Sequence, residues 1–156
     1  HLARAIGSEG QLISIENRAE HAKVGEENLE RARAAWNSFP DLHIIEADAN
    51  NCSAELSQFD NDFDAVVIDV PEPWNTIPNL AKRLRTGGRL ACYCPVSTQL
   101  EQAWEACEQA GLSVEWAGEL IDRVWTRASK GGVRPGNNPM GHTAFLLTAV
   151  NLPDLE

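Results

Sequence analysis

The chain has 156 residues, 43% of them hydrophobic, with 23 acidic against 13 basic side chains and a formal net charge of −10. That is length for one domain with a sizeable core, too apolar for a disordered polymer, and without an apolar run near the ~20 residues of a membrane span. The four cysteines, Cys52, Cys92, Cys94 and Cys107, form no disulfide framework at this size, and His1 to Gly10 has no leader pattern, so a reduced, cytoplasmic protein is expected.

His1 to Ile6 has the character of a helix tail closed by Gly7, as if the sequence were an excerpt starting inside an element. Gln11 to Glu16 is a predicted strand with Leu12, Ile13 and Ile15 apolar and an acid at its end. Asn17, with Glu20 three residues on, is a helix-start pattern. Behind it Ala22, Gly25, Leu29, Ala32 and Trp36 fall on one helical face, with Glu27 and Arg31 as a solvated pair opposite. Leu42 to Ala47 is a second strand, again followed by an acid, Asp48.

Phe63 to Val70 is the third strand. Its continuous run Ala65-Val66-Val67-Ile68 predicts burial on both faces, and it too runs into an acid, Asp69. A short helix is predicted around Asn79 to Arg85, stopped by Gly87-Gly88, then a strand from Arg89 to Cys94. Thr98 with Glu101 opens a helix whose apolar face is Leu100, Ala103, Trp104 and Cys107, and Gly111 ends it. Leu112, Val114 and Trp116 alternate as in a strand, and His142 to Val150 is the last one. Arg127 to Gly141, rich in Gly, Pro and Asn, is a long candidate functional loop. There is no internal repeat and no dividing linker.

Alternating strands and helices define an α/β fold, a mostly parallel sheet with helices on both faces. Right-handed crossovers bring the carboxyl ends of such strands to one edge, where ligands bind. Three strands place an acid there: Glu16, Asp48 and Asp69. A single acid after a strand is commonly a helix cap, but the trio is more specific. Glu16 sits where a carboxylate grips a ribose diol, in dinucleotide and S-adenosylmethionine sites alike. Asp48 is placed to accept a bond from an adenine amino group. Asp69 opens Asp69-Val70-Pro71-Glu72-Pro73-Trp74, in which two prolines remove two backbone donors and hold the chain extended. An acid beside a large π surface suits a flat base carrying an amino group; the plainer alternative is a stiff loop with Trp74 as a core plug.

At this motif the chain resembles the S-adenosylmethionine-dependent tRNA (adenine-N1) methyltransferases that modify a T-loop adenosine of the position 58 type. The resemblance takes in Ile15-Glu16, His21-Ala22, Asn28-Leu29, Asp48 and the Asp69 to Trp74 motif. It continues through Leu84-Arg85, Gly87-Gly88-Arg89-Leu90, Tyr93, Pro95 and Gln99, and ends with Arg123-Val124-Trp125, Arg134-Pro135 and Gly141-His142-Thr143-Ala144-Phe145-Leu146. It implies a Rossmann-like class I methyltransferase fold. Glu16 would hold the cofactor ribose and Asp48 its adenine; Asp69 would serve both the cofactor site and, as the catalytic residue, the target base. Pro71, Trp74, Tyr93, Arg134 and His142 are the substrate-binding candidates. It also implies tRNA as partner, a tetramer, and no metal or membrane. The family's glycine-rich loop, first strand and small N-terminal β-domain are expected upstream of His1, so residues 1 to 156 would be a partial catalytic domain, inactive alone.

His142 is equally a structural turn residue, and His21 and His43 have the character of surface or packing residues. Cys92 and Cys94 share one strand face without a second pair at ligand spacing, so core thiols are expected, not zinc ligands. The alternatives are a methyltransferase acting on another amine or a small molecule, and a non-catalytic RNA-binding subunit. The charge distribution bears on the choice: residues 1 to 122 hold 21 acids and 9 bases, whereas 123 to 153 hold Arg123, Arg127, Lys130 and Arg134 and no acid. A basic segment in an acidic chain favours an RNA partner.

Overall fold

The computed structural model describes residues 1–136 and 144–153. The chain divides into two compact units, His1–Asp60 and Asn61–Glu156. The first opens with α1, Leu2–Ile6, closed by Gly7. β1, Gln11–Glu16, and β2, Asp41–Glu46, then pair in parallel, with Glu16 opposite Glu46.

Parallel neighbours need a long return between them, supplied here by α2, Ala19–Ala35. The predicted stripe Ala22, Gly25, Leu29 and Ala32 is the half-buried side of α2, and every other residue of that helix is exposed. Its start differs from expectation. Arg18, not Asn17, is the N-cap, because the Arg18 amide and guanidinium are both drawn back to Glu16, which keeps residue 18 extended. Beyond β2 come a 3-10 turn at Ala49–Asn51 and α3, Ser53–Leu56.

The second unit contains β3, Phe63–Ile68; α4, Pro73–Ala81; β4, Leu84–Cys94; α5, Ser97–Gln109; and β5, Ser113–Gly118. A hairpin of β6, Trp125–Arg127, and β7, Val133–Pro135, precedes β8, Phe145–Val150. The sheet order is β3-β4-β8-β5, with β3 and β4 parallel and β8 antiparallel to both neighbours. Leu90, Cys92 and Cys94 of β4 alternate onto one face with Leu147 and Ala149 of β8, and all five are at most 2% exposed. α4 and α5 pack on each other and against these strands, contributing Ile77, Leu80, Ala103 and Cys107 to the core.

Several elements depart from the sequence-based expectation. Ala65 is exposed and Val67 is 53% exposed, so β3 is not buried on both faces: it pairs only with β4 among the described strands, at an edge of the sheet. The helix placed at Asn79 to Arg85 begins instead at Pro73, since proline at the first helical position forfeits only a donor that had no partner there. Gly87-Gly88 stops no helix but lies inside β4, where the register jumps from Phe63 opposite Leu84 to Ala65 opposite Arg89. A bulge between Val114 and Trp116 breaks the expected alternation of β5, and the intervening Glu115 takes two bonds from Arg89, at 2.9 and 3.1 Å. The long loop after Arg127 includes the β6–β7 hairpin, turned by Gly131 and Gly132 at positive φ, 92° and 81°.

Gly88 gives a sharp test of this register. A Cβ there would stand 2.8 Å from the Arg85 carbonyl oxygen and 3.0 Å from that of Phe63, and neither main-chain atom can rotate away. Gly88→Ala is expected to destabilise the chain by ~1–3 kcal/mol, as overpacking does, seen as a lower urea midpoint at unchanged slope.

Candidate functional site

In the first unit, β1 and β2 end level. The Ala47 N–H donates to the Glu16 carbonyl at 3.2 Å, which brings the chain just before Asp48 to the end of β1. Glu16 is half-buried, and its Oε1 accepts from the amide and the Nε of Arg18, both at 3.1 Å. The Arg18 side-chain hydrogen bond, with its backbone N–H second, lowers the Glu16 carboxyl below its ordinary value of 4.5. Oε2 accepts no hydrogen bond among the described residues, leaving one oxygen of a negatively charged group available to a diol. Asp48 is exposed and caps the following turn, its Oδ1 accepting from the Asn50 amide at 2.9 Å. The helix-cap role that competed with the adenine role is thus present, and it occupies only one carboxylate oxygen.

In the second unit, Asp69 follows β3 directly and is exposed. It has no hydrogen-bond or ion-pair partner among the described residues. Ile68, the residue before Asp69, stands opposite Cys92 in the register, and Tyr93, the residue after Cys92, is 39% exposed. The two prolines of the motif differ. Pro71 is exposed in the turn, whereas Pro73 is buried at the start of α4 and carries half-buried Trp74 on the first helical turn. The chain bends at Val70 and Pro71 instead of running extended, and Trp74 is held by a helix rather than by a stiff loop.

The residue to which the sequence pattern assigned no role is Gln99. Its Nε2 donates to the Pro71 carbonyl at 2.8 Å, and its Oε1 accepts from the Val96 amide at 3.0 Å. A glutamine two positions into a helix was the available signal, but its partner lies 28 residues away. Arg134 is exposed on β7, beside Arg127 on β6. His142 lies outside the described residues.

The thiols are core groups. All four cysteines are free and buried, and burial pushes the Cys107 thiol up to about 12, with Cys92 raised further for the same reason. No cluster of three metal-binding side chains occurs among the described residues, and no described helix is long and apolar enough to cross a membrane.

With this geometry in place, the class is set by likeness to solved structures. The fold is that of the S-adenosylmethionine-dependent methyltransferases: a SAM-dependent O-methyltransferase from Thermotoga maritima superposes with a TM-score of 0.79 at 30% identity, over 99% of this chain and 55% of that one. The tRNA (m1A58) methyltransferase TrmI of Aquifex aeolicus shares the fold with a TM-score of 0.69 at 21% identity, over 92% of this chain and 54% of that one. Residues 1–127 match the GCD14 family, described as the tRNA methyltransferase complex GCD14 subunit, and the chain belongs to that family.

Among curated proteins it is similar to TrmI of Methanocaldococcus jannaschii, a tRNA (adenine(57)-N(1)/adenine(58)-N(1))-methyltransferase. They are 30% identical over 166 residues, 96% of this chain and 58% of that protein. The tRNA (adenine(58)-N(1))-methyltransferase TrmI of Thermus thermophilus is 31% identical over 147 residues, 94% of this chain and 54% of that protein. The chain thus spans little more than half the length of these relatives.

Arg18→Ala removes the donor that holds the Glu16 proton affinity down, so the carboxyl should titrate closer to 4.5 in side-chain carbon NMR. Because the folded value is the lower one, the pair contributes fully above the unfolded value and is lost as pH falls through the folded one. In Arg18→Ala that acid-side loss should shrink.

Proposed function

We propose that this chain is the main part of a catalytic domain that transfers a methyl group from S-adenosylmethionine to N1 of a T-loop adenosine in tRNA. The single observation that carries the reading is the Asp69 carboxylate at the end of β3, without a partner among the described residues, inside a motif that opens onto Trp74. Family membership and the names of the relatives support it. The Thermotoga structure is named for O-methylation, but the names of the curated relatives favour the ring nitrogen. The second edge of β3, unpaired among the described strands, and the length of the relatives support a partial domain, completed by further chain.

When bound, S-adenosylmethionine supplies an electrophilic methyl on a sulfonium. The residues present fit its polar ends: Glu16 keeps one carboxylate oxygen for a ribose diol, and Asp48 one for an adenine amino group. Adenine N1 has an in-plane lone pair, so no base is needed before attack, and most of the acceleration comes from positioning. As N1 gains its methyl, positive charge spreads to the exocyclic amino group. Asp69 accepts a hydrogen bond from that group, more strongly as charge develops, which lowers the barrier rather than only binding substrate. Trp74 and Tyr93 offer π surfaces for a base withdrawn from its stack.

The test is to incubate the full-length protein with unmodified tRNA and map methylated nucleosides by mass spectrometry. N1-methyladenosine in the T-loop is expected; methyl transfer to no tRNA position overturns the reading. Asp69→Ala should lower kcat by ~10² or more with cofactor affinity little changed. Glu16→Ala should instead weaken cofactor binding by ~1–3 kcal/mol through lost charge-assisted bonds.

The basic hairpin supplies the RNA-facing part of the proposal. Arg127 and Arg134 occur on neighbouring strands and Lys130 in the turn between them, all exposed. Each phosphate contact releases counterions on binding, so replacing these three by neutral residues in the full-length enzyme should flatten the slope of log K against log salt by about 2, at ~0.7 per contact. Cofactor binding should be unchanged.

A further inference from the structure

The segment from Asp69 to Pro73 is poor in means of holding itself. Pro71 and Pro73 have no N–H, and Asp69 has no partner among the described residues. The turn's own short bonds begin only at Glu72, whose carbonyl accepts from the Asn75 amide at 3.1 Å and whose Oε2 accepts from Asn75 Nδ2 at 3.0 Å. Something must fix the carbonyl of Pro71, two residues from the acid. That partner is the Gln99 side chain on α5, at 2.8 Å.

The orientation of the Gln99 amide is dictated by its neighbours. An amide N–H such as that of Val96 can only donate, and a carbonyl such as that of Pro71 can only accept. Gln99 must therefore turn Oε1 to Val96 and Nε2 to Pro71. The Gln99 amide also donates to the Val96 carbonyl at 3.1 Å, so the residue is tied on both its main chain and its side chain to the first turn of α5. That helix is anchored in turn by Ala103, Ala106 and Cys107, each at most 6% exposed. A rigid chain of contacts thus runs from the core through α5 and Gln99 to the turn that begins at Asp69.

We propose that Gln99 is the positioning residue of the methyl-transfer site, fixing the Asp69 to Trp74 turn through the Pro71 carbonyl. This rests on the role proposed for Asp69, and two readouts separate the two ideas. Gln99→Glu keeps an acceptor for Val96 but sets an oxygen against the Pro71 carbonyl in place of a donor. Gln99→Met, uncharged and of similar length, removes both bonds and serves equally should the added charge unfold the chain.

In the full-length enzyme either substitution should lower kcat about 10-fold, within the range for a small misplacement of a reacting group, while KM for the cofactor stays the same. In an Asp69→Asn background the same substitution should cost little more, because residues acting through one group are not additive. Independently of activity, amide hydrogen exchange in the peptide spanning 69–75 should quicken while the β4 and β8 core stays protected. Unchanged exchange in that peptide, or kcat losses that simply multiply with Asp69→Asn, overturns the proposal. A wild-type enzyme that methylates nothing overturns the proposed function instead, and the exchange measurement still decides whether Gln99 holds the turn.

Discussion

Two parallel strands cannot be joined by a tight turn; each must leave the sheet at its carboxyl end and return through a crossover. That constraint governs both units. It makes α2 the link from β1 to β2, and the turn with α4 the link from β3 to β4. It also turns the carboxyl end of each strand into a chain exit, where backbone groups have lost ladder partners and polar side chains reach solvent. Glu16, Asp48 and Asp69 all stand at such exits. Each meets the freedom differently: Glu16 recruits Arg18, Asp48 caps a turn, and Asp69 is left unpartnered among the described residues.

The difference among the three acids has chemical content. A carboxylate that already accepts a bond from a flexible arginine can exchange that partner for a ligand hydroxyl at modest cost, as suits the binding role proposed for Glu16. A carboxylate without partners gains most when a cationic hydrogen-bond donor forms beside it, as suits the catalytic role proposed for Asp69. The turn around Asp69 is accordingly held by Gln99 where the carboxylate has no partner among the described residues. Proline removes alternatives from the backbone, and α4 starts at once behind it.

Much of the fold was legible because its signals are local. The stripe from Ala22 to Ala32, the acids closing the strands and the alternation of Cys92 and Cys94 depend on period alone, and each recurs in the structure. Apart from the start of α2, the misplacements were those in which a long-range partner decides. Pro73 could equally stiffen a loop or start a helix, and only the packing of α4 on α5 selects the second. Gly87-Gly88 has the usual form of a helix stop, but at Gly88 the glycine is required by the close approach of the Phe63 and Arg85 carbonyls. Gln99 was invisible as a clamp because a hydrogen bond to Pro71 leaves no periodic trace. Within the candidate site, the placement of the acids after the strands was legible and the hydrogen bonds that support them were not.

The buried thiols set a clock on the molecule. Cys92, Cys94 and Cys107 are at most 2% exposed and belong to β4 and α5, which pack on each other. Burial pushes the Cys107 and Cys92 thiols up, which leaves little thiolate at neutral pH, and reagents meet them only when the packed layer opens. The modification rate then follows the population of the opened state rather than thiol chemistry. Slow alkylation in dilute reagent becomes a direct measure of how often the sheet and α5 part, and bound partners that favour the closed form must lengthen that time in proportion to their binding.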